Sequence, residues 1–182
     1  METEQQLLQK LRGSDTQARR RLYERFVGQA MTTALRYVSD RQTAEDVVHD
    51  AFVKILTSLS GYRHQGEGTL RSWVMRIVAN VAIDEVKKHE HLLSTDNLDG
   101  VVADDDDDES MEKISSEVLL TMIGRLPAGY RLVLNLYVFE HYSHREISQR
   151  LGIAEKSSAS QLARARKQLQ RMMKEYLTKQ QR

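Results

Sequence analysis

Three sets of side chains in this sequence have the types and spacing to do chemistry. Ser157, Ser160, Gln161, Arg164, Gln168 and Arg171 fall on one face of a helix whose other face carries Leu162, Ala165, Leu169, Met172, Met173 and Tyr176. Ser and Gln reach base edges, and Arg takes bases or phosphates, so this is a face suited to a DNA groove. Asp46, His49 and Asp50 stand at i, i+3 and i+4, which makes them one exposed patch on a helix. Asp and His ligate metals, but a metal site in a helical bundle needs a matching acid and His set on other helices. None is found: His89 and His91 fall in an expected loop, and His141 and His144 lie in the DNA-binding half. On spacing alone the patch is a solvated face, and no metal is expected. Tyr62, Arg63, His64 and Trp73 put aromatic and basic groups around a loop and a helix start. Single-stranded bases stack on aromatics beside positive charge, although Trp73 also fits the apolar stripe of its own helix. Asn80 and Asp84, one turn apart on that helix, read as surface groups. There is no nucleophile elbow, P-loop, Gly-rich dinucleotide loop or paired-His motif, so no catalytic residue and no cofactor are expected.

Helical periodicity must position these groups, since no alternating strand pattern is sustained. The spacing predicts helices over Thr3–Gly13, from Ser14 or Asp15 to Val38, and from a Thr43 cap through Leu59. The last of these should bury Val47, Phe52, Ile55, Leu56 and Leu59. A glycine-bearing loop, Ser60–Gly68, precedes a helix from about Thr69 to Lys88 that should bury Leu70, Trp73, Val74, Ile77, Val78 and Val81. Helices resume near Ser115–Arg125, and Pro127 starts the next, through Phe139. Ser143 followed by Glu146 is a capping box, and Gly152 stands where a left-handed residue ends a helix. A capped helix, a glycine turn and a helix with one basic face form a helix-turn-helix.

The net charge of +1 hides a strong asymmetry. Residues 1–90 carry 14 basic and 12 acidic side chains, residues 91–117 one lysine and ten acids, and residues 118–182 twelve basic and four acidic. A basic C-terminal part points to nucleic acid. The run Asp104–Glu109 cannot bury a core and reads as a solvated linker. The expected organisation is all-α: two small helical domains, 1–90 and 114–182, joined by an acidic flexible linker, 91–113, the second domain holding the helix-turn-helix. The absence of cysteine excludes disulfides and thiol chemistry and suits a reducing compartment. The N-terminus lacks the apolar core of a signal peptide, and no apolar run approaches the roughly 20 residues needed to span a bilayer. A cytoplasmic protein is expected.

Together these residues resemble the extracytoplasmic-function group of bacterial sigma factors. In the first half the resemblance rests on Leu35-Arg36-Tyr37-Val38, on Ala44-Glu45-Asp46-Val47-Val48-His49-Asp50-Ala51-Phe52, and on Gly68-Thr69-Leu70-Arg71-Ser72-Trp73-Val74-Met75-Arg76-Ile77 with Asn80 and Ala82-Ile83-Asp84. In the second half it rests on Leu126-Pro127, Arg131, Tyr142-Ser143-His144-Arg145-Glu146-Ile147, Leu151-Gly152-Ile153 and Arg164-Ala165-Arg166. The resemblance implies that Asp46, His49 and Asp50 dock on the clamp helices of the RNA polymerase beta-prime subunit. It implies that the loop Tyr62–Thr69, with Arg63 and His64, and then Trp73 and Asn80 hold the unpaired minus-ten promoter strand. It gives Lys156, Ser157, Ser160, Gln161 and Arg164 the duplex minus-thirty-five element, and implies an anti-sigma factor, often membrane-bound, as a further partner. The chain departs from the family pattern at His49 (usually Gln), at Ala154-Glu155-Lys156-Ser157 (usually Ser-x-Gly-Thr), at Ser158 (usually Val) and at Ala159 (often basic). Competing readings are a plain helix-turn-helix regulator with a helical sensor domain and a helical-bundle metalloenzyme. The Asp46–Asp50 helix followed by the Trp73 segment speaks against the first, and the missing ligand set against the second.

Overall fold

In the computed structural model, which describes residues 2–13, 15–89 and 114–180, every regular element is a helix among the described residues. The chain divides into two compact units, Met1–Glu85 and Val86–Arg182. The expected linker, 91–113, with its acidic run, lies outside the described residues, as does His91. No helix among the described residues is long and apolar enough to cross a membrane.

The first unit is built from α1 (Glu4–Arg12), α2 (Thr16–Val38), α3 (Arg41–Ser58) and most of α4 (Thr69–His89). Each of the first three helices starts on a side chain from its own sequence: Thr3, Asp15 and Asp40 accept backbone N–H bonds from the first turn. These bonds satisfy donors that a helix start leaves unpaired. Thr43 is not the cap of α3. Asp40 is, because Ser39 adopts a left-handed conformation (φ 61°) that ends α2 and turns the chain, leaving Asp40 extended with its carboxylate on the Thr43 N–H. The core is made by Leu22, Phe26, Ala30 and Ala34 of α2, Val47, Val48, Ala51, Phe52 and Ile55 of α3, and Leu70, Val74, Val78 and Val81 of α4. Three inward assignments in this unit fail: Leu56 is exposed, and Trp73 and Ile77 are only half-buried. At these edges of the apolar stripe the neighbouring helices have already closed over the centre.

The second unit holds α5 (Ser116–Gly124), α6 (Ala128–Leu134), a π-helical turn (Asn135–Phe139), α7 (His144–Leu151) and α8 (Glu155–Gln180). Pro127 precedes α6, where its fixed φ and missing N–H suit a helix start. The continuation to Phe139 is a π turn rather than regular α-helix. Arg131 is buried, and its guanidinium donates from Nη1 to the carbonyls of Gly124 (3.0 Å) and Leu126 (3.0 Å), the ends of the α5–α6 turn. The Asn135 amide donates to the Arg131 carbonyl (2.8 Å) where the π turn begins. Leu132, Leu136, Ile147, Leu151, Leu162, Ala165 and Met173 close the core.

The Asp40 carboxyl is held below the usual carboxylate range, first by the Thr43 hydroxyl and then by the Thr43 N–H. A depressed folded pKa gives stability that is present above the ordinary carboxylate pKa and is lost as pH falls through the folded one. Asp40→Ala should therefore cost about 1 kcal/mol at neutral pH. Urea unfolding of the two proteins should differ at neutral pH and converge in acid; an equal gap at both would assign the loss to something other than the charged cap.

Candidate nucleic-acid interface

The exposed face of α3 follows directly from its buried one. With Ala44, Val47, Val48, Ala51, Phe52 and Ile55 turned inward, Asp46, His49 and Asp50 are all exposed. Glu45, beside them, is engaged by Arg41 at 2.9 Å, an exposed i,i+4 pair. Val53 (50% exposed) and Leu56 (37%) continue the face by a further turn and more. The patch is thus acidic at its N-terminal end and apolar at its C-terminal end. Sequence reasoning missed the apolar half because Leu56 fits the inward stripe.

The loop after α3 is ordered by its own hydroxyls. The Thr69 hydroxyl donates to the Gly66 carbonyl (2.7 Å) and lies 2.8 Å from the Tyr62 hydroxyl. Gly66 (φ 125°) and Gly68 (φ 86°) occupy left-handed conformations that a Cβ would strain. Tyr62 is not presented for stacking: it is 7% exposed, its ring packed against Trp73 with centroids 4.7 Å apart. It supports the indole from behind while Trp73 stays half-exposed. Arg63 is exposed, and His64 is largely covered, with Nδ1 3.9 Å from the Glu4 carboxylate. Trp73, Ile77 and Asn80 stand at i, i+4 and i+7 and are all half-exposed. Arg76, exposed at i+3, belongs to the same stripe; its helical spacing from Trp73 was the signal that could have found it. Asp84 is exposed beyond it.

In the second unit the Ser143 hydroxyl accepts from the Glu146 N–H and the Glu146 carboxylate accepts from the Ser143 N–H (2.8 Å). The Glu146 carboxyl is held below the usual range, first by the Ser143 hydroxyl and then by its N–H. Gly152 ends α7 at φ 71°, and the Ser148 hydroxyl donates to the Ile153 carbonyl (2.7 Å), fixing the turn into α8. Ala154 occupies the position before α8, its carbonyl accepting from Ser158 N–H. Lys156 and Ser160 are exposed, and Ser157, Gln161 and Arg164 half-exposed. The Ser160 hydroxyl donates to the Lys156 carbonyl (2.9 Å), which leaves its lone pairs free to accept. Gln161 keeps a buried side-chain oxygen without a hydrogen-bond partner.

One contact here was not foreseen. Ser158 is 0% exposed, and its hydroxyl lies 2.9 Å from His144 Nδ1 on the first turn of α7. The His144 ring stacks on Tyr137 (4.7 Å, 22°), and the Arg166 guanidinium lies over the Tyr137 ring, 5.8 Å from its centroid. A polar residue on the α7–α8 seam is tolerated because the histidine meets it. Among the described residues no group of three or more His, Asp or Glu side chains converges as metal ligands would.

Comparison with known proteins decides what this arrangement is. The family model described as Sigma-70 region 2 matches residues 22–91, and that described as Sigma-70, region 4 matches residues 116–169. The chain belongs to the sigma-70 family. It is a sigma factor of the extracytoplasmic-function group, which binds core RNA polymerase and directs promoter-specific transcription initiation. Similar relatives are the ECF RNA polymerase sigma factor SigM of Bacillus subtilis (26% identical over 81% of this chain and 90% of that protein) and the RNA polymerase sigma factor SigZ of the same organism (29%, 84% and 85%). The RNA polymerase sigma-H factor of Pseudomonas aeruginosa is 26% identical over 97% of this chain and 96% of its own. A solved structure, of CnrH in complex with the cytosolic domain of CnrY, is similar over 92% of this chain and 95% of that one, with 20% identity and a TM-score of 0.47.

In this sigma factor the His144–Ser158 contact makes a measurable prediction. His144→Ala strands a buried hydroxyl and should cost about 1–3 kcal/mol. Ser158→Val in the same protein should recover most of that loss, because the polar group goes with its partner. Losses that simply add in denaturant titrations of the two single variants and the double variant would show that the pair is not coupled.

Proposed function

We propose that the sigma factor reads its promoter through surfaces on separate units and docks on polymerase through a third. Asp46, His49 and Asp50, the charged end of the α3 face, take the clamp helices of the beta-prime subunit, with Val53 and Leu56 extending the contact. The observation that carries the reading is the free face of α3 directly preceding the half-exposed Trp73–Asn80 stripe of α4 in one folded unit. A helix-turn-helix regulator needs neither.

The minus-ten strand lies along Arg63, His64, Trp73 and Asn80, with Arg76 added. Only an unpaired base exposes faces for stacking on the indole. Tyr62 acts behind Trp73 rather than on the base. In the second unit Lys156, Ser157, Ser160, Gln161 and Arg164 take the duplex minus-thirty-five element, phosphate contacts fixing register and polar side chains reading bases. The domains are 1–90 for docking and minus-ten recognition and 114–182 for minus-thirty-five recognition, with 91–113 as the acidic linker. The protein performs no chemistry of its own, acts in the cytoplasm, and is held inactive by an anti-sigma factor that reaches it there, membrane-bound or not. These last points rest on the family resemblance.

Asp50→Arg should lower affinity for core polymerase by about tenfold or more while leaving the fold intact, since the residue is exposed. Unchanged affinity would move the docking site elsewhere. Arg164→Ala should weaken duplex promoter binding by about 1–3 kcal/mol if it reads a base, with relaxed specificity at one position. A uniform loss across sequences with a shallower salt dependence would make it a phosphate contact instead.

A further inference from the structure

The N-terminal helix α1 lies before the stretch that the family model matches, residues 22–91, yet it holds the loop ahead of α4 at both ends. At the far end the reason is local chemistry. The residue before α4 is Gly68, whose carbonyl accepts the first helical bond from Ser72 but which has no side chain to cap the exposed N–H groups. Glu4 supplies the missing acceptor from another helix. Its carboxylate accepts from the Gly68 N–H (3.1 Å) and the Leu70 N–H (3.2 Å), and it is only 2% exposed. The Glu4 N–H in turn donates to the Glu67 carboxylate at 3.3 Å, so the contact runs both ways, as in a capping box assembled across the fold. A negative charge at a helix N-terminus is favoured by the helix dipole, and Arg25 lies 4.0 Å from the same carboxylate. At the near end Arg12 donates from Nη2 to the Tyr62 carbonyl at 3.1 Å. Leu7, Leu8 and Leu11 bury the inner face of α1, which fixes where Glu4 and Arg12 must lie.

We propose that α1 is a brace for single-strand recognition, with Glu4 and Arg12 as positioning residues that hold the loop Tyr62–Thr69 in the shape that receives the unpaired promoter strand. This rests on the reading of that loop as the minus-ten site. The loop carries two glycines in left-handed conformations, residues that lose more backbone freedom on ordering than any other, so its own hydroxyl bonds are helped by restraints at its ends. A binding site whose competent shape is a minor population loses affinity in proportion. Bonds at both ends of the loop remove that loss without touching DNA.

The test uses full-length protein assembled with core polymerase. The probe is a short labelled single-stranded DNA of random sequence, and then the sequence that the unaltered holoenzyme selects from it. Glu4→Ala and Arg12→Ala should each weaken binding of the selected strand by about tenfold while core affinity and duplex upstream binding stay unchanged. Glu4→Gln, which keeps an acceptor oxygen, should restore part of the loss. Hydrogen exchange at the Gly68 and Leu70 amides should accelerate in Glu4→Ala and less so in Glu4→Gln. Arg12 is exposed, so its variant tests the brace even if Glu4→Ala fails to fold. If Arg63→Ala or Trp73→Ala weakens strand binding but Arg12→Ala and Glu4→Gln bind as the unaltered protein does, the brace is overturned and the loop assignment stands. If none of these variants affects strand binding, the loop assignment itself fails, and the brace with it.

Discussion

The carboxylate of Glu4, shut away from solvent and bonded to the N–H groups of Gly68 and Leu70, ties the start of α4 to α1, and on the reading proposed above the first unit's recognition surface depends on it. Burying a carboxylate is costly unless it is paired and hydrogen-bonded, and here the unpaired donors at the start of α4 meet that requirement. The exchange is mutual: α4 gains the cap that Gly68 cannot provide, and α1 gains its place in the fold. α1, α2, α3, α5 and α7 instead start on Thr3, Asp15, Asp40, Ser115 and Ser143, side chains adjacent in sequence. The start of α4 is the point from which Trp73 and Asn80 project, so the helix that positions the indole is anchored by a residue 66 positions from Leu70.

On the proposed function the two units solve different physical problems. A melted strand offers base faces, and the half-exposed indole of Trp73, backed by the ring of Tyr62, is a platform of matching shape. A duplex offers only edges and phosphates, and α8 carries small polar and basic side chains of the kind that reads such a groove. The second unit must hold that helix firmly, and it does so partly with polar contacts inside its core. Arg131 ties the α5–α6 turn, and His144 meets Ser158 on the seam between α7 and α8. Such contacts are demanding, because each leaves a buried group stranded if its partner is lost.

What could be read from the sequence was what is local. The capping box at Ser143 and Glu146 and the left-handed Gly152 are signalled by residues within a few positions of one another, and the structure has them as expected. The helix periods likewise gave the all-helical class. What was not legible is decided by distant parts of the chain or by departures from regular periodicity. Glu4 looks like an ordinary first-turn acid until α4 is packed against it. Leu56 matches the inward stripe of α3 but is 37% exposed. Tyr62 has the chemistry of a base platform and is instead tucked behind Trp73. The π turn at Asn135–Phe139 leaves no distinct periodicity in the sequence, and the partner of Ser158 is 14 residues away on another helix. The role proposed for the α3 face rests on the family resemblance, because spacing alone left it as a solvated patch.

The central claim is that one unit takes melted DNA and the other duplex, in the same complex. Permanganate probing of unpaired thymines, combined with nuclease protection, tests it on a promoter selected by the protein together with core polymerase. The account predicts that polymerase and protein together produce reactive thymines in the downstream element and protection of a duplex element upstream, and that Trp73→Ala abolishes the reactivity while leaving the protection in place. Reactive thymines that persist undiminished in Trp73→Ala, or upstream protection that disappears with them, would contradict the division of labour between the two units.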